Sequence, residues 1–416
     1  HSNRKLAFVG FHTLFIHIAL VDGPSIFMHL KYRRSLKRHT WKILIFILVI
    51  SLLVILNKPR GSFKSKENFV FQEASDTFEG KDVLKIGFWT GFFYYSQGWE
   101  NFYGKSGVLK CPARCEFTFT SHVKDNYQNY DALVFNARDL YRNNRMPPGR
   151  HRSQVYILHN TEPPWWTWLE LQKYNGMFNM TSFVRQDSDI PTYYGKFVKK
   201  QSPTIKDYDY FEEKTDLAAW AASNCVTQSK REDYLRELSK HIPINTYGAC
   251  GKKWCPKFHQ ECYDVLRKHK FYFALENGDC KDYITEKFWW TLAWNVIPIV
   301  MGDSLKYRKL VPPNSYINIE DFKSPADLAR HLLLIAANRT MYNSYFKWRN
   351  EYEVQSNVDY WCEMCATLHN FKGKTQIYSD LDGWFRQEKC QPWNIVDKVF
   401  LELRKVKNAI LIFIGL

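Results

Sequence analysis

Acidic residues are almost absent from the first 66 residues of this 416-residue chain. Asp22 is the single acidic residue there, against 12 Lys and Arg, whereas the rest of the chain carries 46 basic and 41 acidic residues. Most of the formal net charge of +16 therefore belongs to the N-terminal stretch. A nucleic-acid-binding protein carries its positive charge on the folded domain that contacts phosphates. We therefore expect no nucleic-acid partner and interpret the basic stretch as topology charge beside a membrane segment.

Long apolar runs are also scarce, and the most prominent is the 14-residue stretch ILIFILVISLLVIL at 43–56. As a helix it spans about 21 Å, which is short for a bilayer. Trp41 and the flanking Lys42 and Lys58 can extend it, because long basic side chains reach the membrane surface. The polybasic block before the run favours a signal anchor over a buried core helix.

More Lys and Arg precede this run than closely follow it, so the positive-inside rule places the N-terminus in the cytosol. The sequence thus predicts a cytoplasmic basic tail at 1–42, a transmembrane signal anchor at 43–57 and a stem at 58–82. Insertion of a second apolar stretch at 6–21 would change this topology.

Cysteine is absent from the first 110 residues, and all ten cysteines follow the predicted anchor. An even number of cysteines in an oxidising lumen indicates disulfide bonds. Zinc binding is the alternative, because the pairs Cys111/Cys115 and Cys362/Cys365 have ligand-like spacings. The sequons at Asn179 and Asn338 predict glycosylation sites, which also favours a lumenal location.

The chain lacks a glycine-rich dinucleotide fingerprint and a P-loop, so NAD and ATP chemistry of the usual kinds is not expected. From Val83 onward, short apolar runs alternate with helical patterns, as in α/β proteins with parallel sheets. The predicted strands are 83–89, 132–136, 154–159, 217–222, 244–247, 271–275 and 296–301, with helices at 230–241 and 283–294. Two successive groups of this kind predict two doubly wound domains facing a cleft, with ligands at the carboxyl ends of the strands.

The segment ENGDCKDYITEK at 276–287 combines polar groups that suit an anionic ligand. Asp282 is a candidate N-cap for the helix that follows, and the spacing of Tyr283, Glu286 and Lys287 places them on one face of its first turn. A helix N-terminus beside a strand end favours an anion, so a diphosphate would fit there. The alternative is an exposed Glu and Lys on an amphipathic helix.

Arg231 holds the corresponding position after the strand at 217–222. A guanidinium there could bind phosphate oxygens through two hydrogen bonds. Lys230 and Arg236 are nearby surface alternatives for the same role.

Glu162 follows the strand at 154–159 and precedes two prolines and several tryptophans. A carboxylate held at a strand end beside aromatic residues has the properties of a general base in a sugar-binding cleft. The alternative is a solvated loop carboxylate. His159 could also serve as a base, but its place within the strand indicates a structural role.

The run FYFALENGDCKDYITEKFWWTLAWNVIPIVMG at 271–302 resembles the signature of the inverting α1,3-fucosyltransferases, which are Golgi type II membrane enzymes. One element departs from the family pattern, since the familiar Phe-Glu-Asn-Ser appears as LENG at 275–278 and loses a hydroxyl. Further motifs of the family follow its order between about residues 83 and 365, namely Glu162-Pro163, FVRQDSDI at 183–190, Tyr194-Gly195, Ser223-Asn224 ahead of Arg231, Tyr247-Gly248, PNSYINIEDF at 313–322, YFKW at 345–348 and the pair Cys362/Cys365.

This resemblance implies a GT-B-like α/β architecture of two Rossmann-like domains. The acceptor-binding domain would span 83–205, the GDP-fucose-binding domain 206–370, and a C-terminal extension without a family counterpart 371–416. The implied reaction moves L-fucose from GDP-fucose to the 3-hydroxyl of a GlcNAc residue on N-glycans or related glycans, with inversion. The acceptor stays open between core and antenna GlcNAc, with a slight preference for the core.

The resemblance also assigns roles to single residues. Glu162 would be the general base, and Arg231 and Lys287 would hold the diphosphate. The remaining donor-binding residues would be Glu276, Asn277, Tyr283 and Glu286. Cys111 and Cys115 would pair with Cys362 and Cys365.

No cofactor or metal is expected to be required, a divalent cation being at most stimulatory, because positive side chains would stabilise the departing diphosphate. Three pairs match the loose Asp-x-Asp pattern of manganese-dependent transferases, which is too many to identify a metal site: Asp187/Asp189, Asp207/Asp209 and Asp380/Asp382. The competing functions are a catalytically inactive glycan-binding protein on the same fold and a metal-dependent transferase of another sugar. Besides GDP-fucose and a glycan, the expected partners are the lipid bilayer and a second copy joined through the anchor or stem.

Overall fold

A computed structural model describes residues 70–72, 82–93, 98–106, 111–119, 121–143, 145–167, 169–204, 208–255, 259–302, 304–355, 360–371 and 376–386. The predicted tail and anchor, most of the predicted stem, Asp207 and residues 387–416 lie outside this set. Within the set, no helix is long and apolar enough to cross a membrane.

The first part of the described chain builds a parallel sheet. Its elements in chain order are β1 Val70–Gln72, β2 Val83–Phe88, α1 Gly98–Tyr103, β3 Arg114–Phe119, α2 Ser121–Asp125, β4 Ala132–Asn136, α3 Ala137–Asn143, β5 Gly149–His151, β6 Val155–Asn160 and β7 Met180–Phe183. Five strands lie in the order β3-β2-β4-β6-β7, all parallel, and β1 pairs with β5 separately. Strands β4 and β6 are buried along their whole length, which explains why their sequences are mostly apolar.

A second parallel sheet follows. Its elements and their neighbours are β8 Lys196–Lys199, β9 Asp216–Ala221, α4 Arg231–Leu238, β10 Asn245–Tyr247, α5 Gln260–Arg267, β11 His269–Phe273, α6 Glu286–Ala293, β12 Ile297–Val300, α7 Ser304–Leu310, β13 Ile317–Asn318, α8 Pro325–Ala337, α9 Arg339–Ser344 and β14 Tyr352–Gln355. The sheet has the parallel order β10-β9-β11-β12-β13, while β8 and β14 form an antiparallel pair.

Both five-stranded sheets share one topology. Numbered within each sheet, the strands lie in the order 2-1-3-4-5, which is a doubly wound arrangement with a switch point between strands 1 and 3. The predicted α/β fold with parallel sheets is confirmed, and the strand limits shift by only one or two residues at most ends. In the second sheet the switch point lies between β9 and β11, where ligands of such folds bind.

Two final helices, α10 Tyr360–Asn370 and α11 Leu381–Arg386, return to the first sheet. Trp361, Met364 and Leu368 of α10 are fully buried in the core formed by β2, β4 and β6. The prediction that placed 360–370 with the second domain is therefore wrong for this helix, because its apolar face covers the first sheet.

The disulfides confirm the expected pairing and specify it. Cys111 bonds to Cys362 and Cys115 to Cys365, which fastens α10 to the chain around β3. The zinc alternative is wrong for these four cysteines, because each sulfur is already bonded to another. The second part of the chain contains Cys225–Cys250 and Cys255–Cys262, and Cys280 is also disulfide-bonded.

Candidate active site

The loop between β11 and α6 is longer than the sequence predicts. Helix α6 begins at Glu286 with Thr285 as its N-cap, so Tyr283 lies in the loop rather than in the helix. Asp282 is not the N-cap. It adopts a left-handed conformation with φ of 57°, and its Oδ2 accepts a hydrogen bond from the backbone N–H of Gln186 at 3.0 Å. Asp282 thus joins this loop to the segment that follows β7.

Glu276 holds the start of α6 in place. Its carboxylate is 2% exposed and accepts hydrogen bonds from the backbone N–H of Thr285 at 2.7 Å and from Lys287 Nζ at 3.0 Å. A carboxylate here satisfies an otherwise unpaired N–H of the first turn and is favoured by the helix dipole. These contacts are internal, so Glu276 acts on any ligand through the Lys287 ammonium that it positions.

Lys287 stays charged in this environment. Burial alone would lower the pKa of its ammonium, but the carboxylates of Glu276 and Glu286 raise that pKa above its ordinary value. Its Nζ lies 3.0 Å from Glu276 and 3.3 Å from Glu286, and the side chain is still 20% exposed. The result is a fixed cation at the N-terminus of α6.

Arg231 bridges the switch point of the second sheet. From the first residue of α4, its Nη1 donates to the carbonyl of Leu275 at 2.6 Å and its Nη2 to the carbonyl of Asn224 at 3.0 Å, so it ties together the loops after β9 and β11. Burial lowers the pKa of this guanidinium, and neighbouring Glu232 and then Glu276 oppose that effect. Among the described residues, Nε has no hydrogen-bond acceptor, since Glu232 Oε1 is 3.8 Å away.

Asn277 is half-buried in the loop after β11. Its Oδ1 is buried and has no hydrogen-bond donor within the described part of the chain. The loop itself is fixed, because Ser229 donates to the carbonyl of Glu276 at 2.7 Å. An acceptor oxygen held rigidly in this way suits a hydroxyl or amino group of a ligand.

Glu162 lies just after β6, on the first sheet. The side chain is 19% exposed, and Arg138 Nη1 lies 3.7 Å from its Oε1. The loop backbone is held by Asn160, whose Nδ2 donates to the carbonyl of Glu162 at 2.8 Å and to Thr167 Oγ1 at 2.8 Å. The prolines then lead into a single 3-10 turn, Pro164–Trp166.

Two buried tyrosines connect the two sheets. The pKa of Tyr283 is raised well above its ordinary value by burial and next by the carboxylate of Glu162. The pKa of Tyr194 is likewise raised by burial, by Glu286 and by Glu162. A carboxylate from each sheet therefore acts on the same pair of phenols, and both phenols remain protonated donors at neutral pH. The structure thus brings the predicted base and the predicted donor loop to one place.

Tyr194 and Arg138 are site residues to which the sequence assigns no role, although Tyr194 belongs to a family motif. The motif Tyr194-Gly195 has a steric basis, because a Cβ at Gly195 would lie 2.4 Å from the indole of Trp289 on α6. Glycine is therefore required where this segment crosses the helix, and the motif was the available signal. No sequence pattern indicated that Arg138 lies beside Glu162.

His159 is structural, as predicted. It is fully buried, with Nε2 2.7 Å from the Tyr103 hydroxyl and Nδ1 3.1 Å from Asn136 Nδ2. Burial lowers the pKa of the imidazole to about 3. The ring is therefore neutral at physiological pH and lies beneath the loop that carries Glu162.

Asn179 is not an accessible glycan acceptor in this fold, contrary to the prediction. It is 8% exposed, its Nδ2 donates to the carbonyl of Gln376 at 3.0 Å, and its Oδ1 accepts from the backbone N–H of Tyr156 at 2.9 Å. The amide is thus used inside the protein. Asn338 is exposed as the N-cap of α9, so its glycosylation stays a prediction.

The described aspartates of the Asp-x-Asp pairs have structural partners. Asp189 accepts from the backbone N–H of Thr181 and from the Tyr378 hydroxyl, both at 2.8 Å. Asp187 pairs with Arg185, which lowers the pKa of its carboxyl through hydrogen bonding. These contacts agree with the interpretation of the FVRQDSDI segment as structural. The other described members, Asp209, Asp380 and Asp382, are also hydrogen-bonded within the protein.

Comparison with known proteins gives the same family as the motifs. A model described as glycosyltransferase family 10 (fucosyltransferase) C-term matches residues 211–384, and a fucosyltransferase N-terminal model matches 83–195. Alpha-(1,3)-fucosyltransferase C of Drosophila melanogaster is 31% identical over 82% of this chain and 88% of its own length. Glycoprotein 3-alpha-L-fucosyltransferase A of the same species is 38% identical over 67% of this chain and 56% of its own.

A solved α1,3-fucosyltransferase structure with GDP-fucose aligns with a TM-score of 0.49 and 15% identity, covering 75% of this chain and 96% of that one. The sequence matches show that the chain belongs to glycosyltransferase family 10, the fucosyltransferases. The family resemblance predicted from the motifs is thereby confirmed. The match to residue 384 also corrects one expectation, because 371–384 belong to the family domain rather than to an extension without a counterpart.

Proposed function

We propose that this protein transfers L-fucose from GDP-fucose to the 3-hydroxyl of a GlcNAc residue on a glycan, with inversion at the fucose anomeric carbon. The two sheets would act as the halves of a GT-B enzyme, the first binding the acceptor and the second the donor. One observation carries the proposal, namely that Glu162 of the first sheet and Glu286 of the second act on the same two buried phenols, Tyr194 and Tyr283.

On the donor side, Lys287 and Arg231 would neutralise the diphosphate. Lys287 is a fixed ammonium at a helix N-terminus, where the backbone also favours an anion. The buried Oδ1 of Asn277 would accept a hydroxyl hydrogen of the ribose or the sugar. Groups of this kind lower the barrier because they are already oriented when negative charge develops on the leaving diphosphate.

On the acceptor side, Glu162 would act as the general base. It takes the proton of the GlcNAc 3-hydroxyl, and that oxygen forms a bond to the fucose anomeric carbon. The bond from this carbon to the diphosphate oxygen breaks on the opposite face, and its electron pair leaves with GDP. Arg138, 3.7 Å from Glu162, holds the carboxylate by charge attraction.

The cellular setting is part of the proposal. A signal anchor at 43–57 would hold the enzyme in the Golgi membrane with residues 83–386 in the lumen, where disulfides such as Cys111–Cys362 persist. The acceptor within the glycan would be the core GlcNAc in preference to an antenna GlcNAc, on the strength of the motif resemblance alone.

The test uses the full chain with GDP-fucose in EDTA and two acceptors, chitobiosyl-asparagine for the core and N-acetyllactosamine for the antenna. Wild-type protein should fucosylate one of them, and Glu162→Gln should lower kcat by about 10²- to 10⁴-fold while GDP binding is retained. The matched control is Glu170→Gln, because Glu170 is a 69% exposed carboxylate on the same sheet and should leave kcat unchanged.

Three outcomes would contradict the proposal in different ways. GDP-fucose binding without modification of either acceptor would favour an inactive glycan-binding protein. Activity that appears only after manganese is added would favour a metal-dependent mechanism. Full activity of Glu162→Gln would remove Glu162 from the role of base.

A further inference from the structure

The segment 376–386 returns to the acceptor side of the site. Tyr378 forms backbone hydrogen bonds with Phe178 at 3.0 Å and with Gly176 at 2.8 Å, which fastens the segment beside β7. Helix α11 then places Arg386 next to the loop that follows Glu162. Sequence analysis assigned no function to this part of the chain.

Arg386 binds two backbone carbonyls of that loop. Its Nη1 donates to Pro164 at 2.7 Å and its Nη2 to Thr167 at 3.3 Å, while its Nε donates to Asp382 Oδ1 at 2.7 Å. The two carbonyls lie at the start of, and just after, the 3-10 turn Pro164–Trp166. The end of so short a turn leaves carbonyls without intrahelical donors, and a planar guanidinium can satisfy two of them at once.

The same segment reaches the donor loop. Phe385 lines a pocket together with Pro163 and Pro164 on one side and Cys280 and Tyr283 on the other. Arg185, which also lines it, donates to the backbone carbonyl of Trp384 and pairs with Asp187, and Asp187 lies 3.8 Å from Lys281 of the donor loop. Residues 384–386 therefore contact the structure on both sides of the reacting groups.

We infer that Arg386 is a positioning residue for Glu162, and that Phe385 forms an acceptor-side wall of the cleft. The inference rests on the proposed function of Glu162 as base. Arg386 fixes the turn that starts two residues after Glu162, and Asp382 fixes the guanidinium. The docking of α11 does not depend on these contacts, because Leu381 and Phe385 are buried and Phe385 packs against Phe183 at a ring distance of 4.6 Å.

The test is steady-state kinetics of the full chain with GDP-fucose and whichever of chitobiosyl-asparagine and N-acetyllactosamine the wild type fucosylates. Arg386→Ala should lower kcat/KM for the acceptor by about 10- to 100-fold, since a displacement of a reacting group by about 1 Å can cost two orders of magnitude. The KM for GDP-fucose and the affinity for GDP should stay within twofold of the wild type. Arg386→Lys, which retains one of the two carbonyl bonds, should recover part of the loss.

Asp382→Asn is the milder second variant, because it loosens the guanidinium without removing it, and it should give a smaller loss of the same kind. The control is Arg330→Ala. Arg330 is paired with Asp327 three residues earlier, as Arg386 is with Asp382 four residues earlier, but it lies on α8 of the second sheet and is 73% exposed. This variant should match the wild type in every parameter.

A wild-type enzyme without transfer activity would overturn the proposed function and this inference with it. An active wild type with normal acceptor kinetics in Arg386→Ala and Asp382→Asn would overturn the inference alone. Parallel losses of GDP affinity and acceptor kcat/KM would also overturn it, because they would indicate a general structural role.

Discussion

The two sheets have the same strand order but are completed in different ways. The core of the first sheet is closed by α10, a helix from far along the chain, through disulfides that span 251 and 250 residues. The second sheet is completed mainly by neighbouring segments, and its described disulfides span 25 and 7 residues. The acceptor side of the site therefore depends on long-range contacts, and the donor side on local ones.

This difference divides the work of the site. On the second sheet, Glu276, Thr285 and Lys287 are within 12 residues of one another and form their own network. On the first sheet, the loop of Glu162 is held by Arg386, which is separated from it by 224 residues of sequence. Disturbing the chain's end should thus affect acceptor use before donor binding.

The largest expected difference concerns the disulfides. Replacing Cys111, Cys115, Cys362 and Cys365 by Ser should lower the free energy of unfolding by about 5 kcal/mol, whereas replacing Cys255 and Cys262 should cost about 2 kcal/mol, because loop-closure entropy grows with loop length. Denaturant titrations of both variants measure this. Equal losses would show that the long-range bridges do not distinguish the two sheets.

Removal of a core side chain of α10 should come next. Trp361→Ala should destabilise the protein by about 4 kcal/mol, because the indole is fully buried in the first core and donates to the carbonyl of Gly104 at 3.0 Å. Trp254→Ala is the matched control, since this indole is 80% exposed. A thermal melt of Trp361→Ala that matches that of the control would contradict the view that α10 closes this core.

Much of the fold could be predicted from the sequence, because buried parallel strands are short apolar runs and local spacing identifies them. The arrangement of Arg231 and Lys287 beside strand ends followed from the same local rules. Asp282 was misassigned because its contact is to Gln186, on a distant segment. Arg386 and Arg138 were missed for the same reason, since tertiary contacts leave no periodic signal in the sequence.

A pH dependence should follow from His159. The unfolded chain binds a proton at this imidazole near pH 6.5, whereas in the folded chain burial lowers its pKa to about 3, so stability should fall as pH decreases between these values. At pH 5 the loss is about 2 kcal/mol relative to pH 7. Comparing the free energy of unfolding of wild type and His159→Gln at both pH values measures it.

The second sheet offers a comparison histidine. Burial also lowers the pKa of His269, but Asp216 and two backbone carbonyls oppose the effect. The corresponding change in His269→Gln should therefore be smaller. A larger one would reverse the comparison between the sheets.

The smallest effect on stability is expected at the exposed sequon. Asn338→Ser retains an N-cap for α9 and should change the free energy of unfolding by less than about 0.5 kcal/mol, while removing the glycan from protein secreted by eukaryotic cells. Mass spectrometry of the intact chain measures the glycan. Loss of a glycan in Asn179→Gln instead would contradict the buried amide seen at Asn179.

The late position of α10 has a consequence for biosynthesis. Roughly 180 residues separate the end of β7 from the start of α10, and at translation rates of about 5 to 20 residues per second they take about 9 to 36 seconds to emerge. During that interval the first sheet exposes the apolar surface that Trp361 and its neighbours will cover. The nascent chain therefore needs protection by chaperones for longer on its acceptor half, although that half is made first.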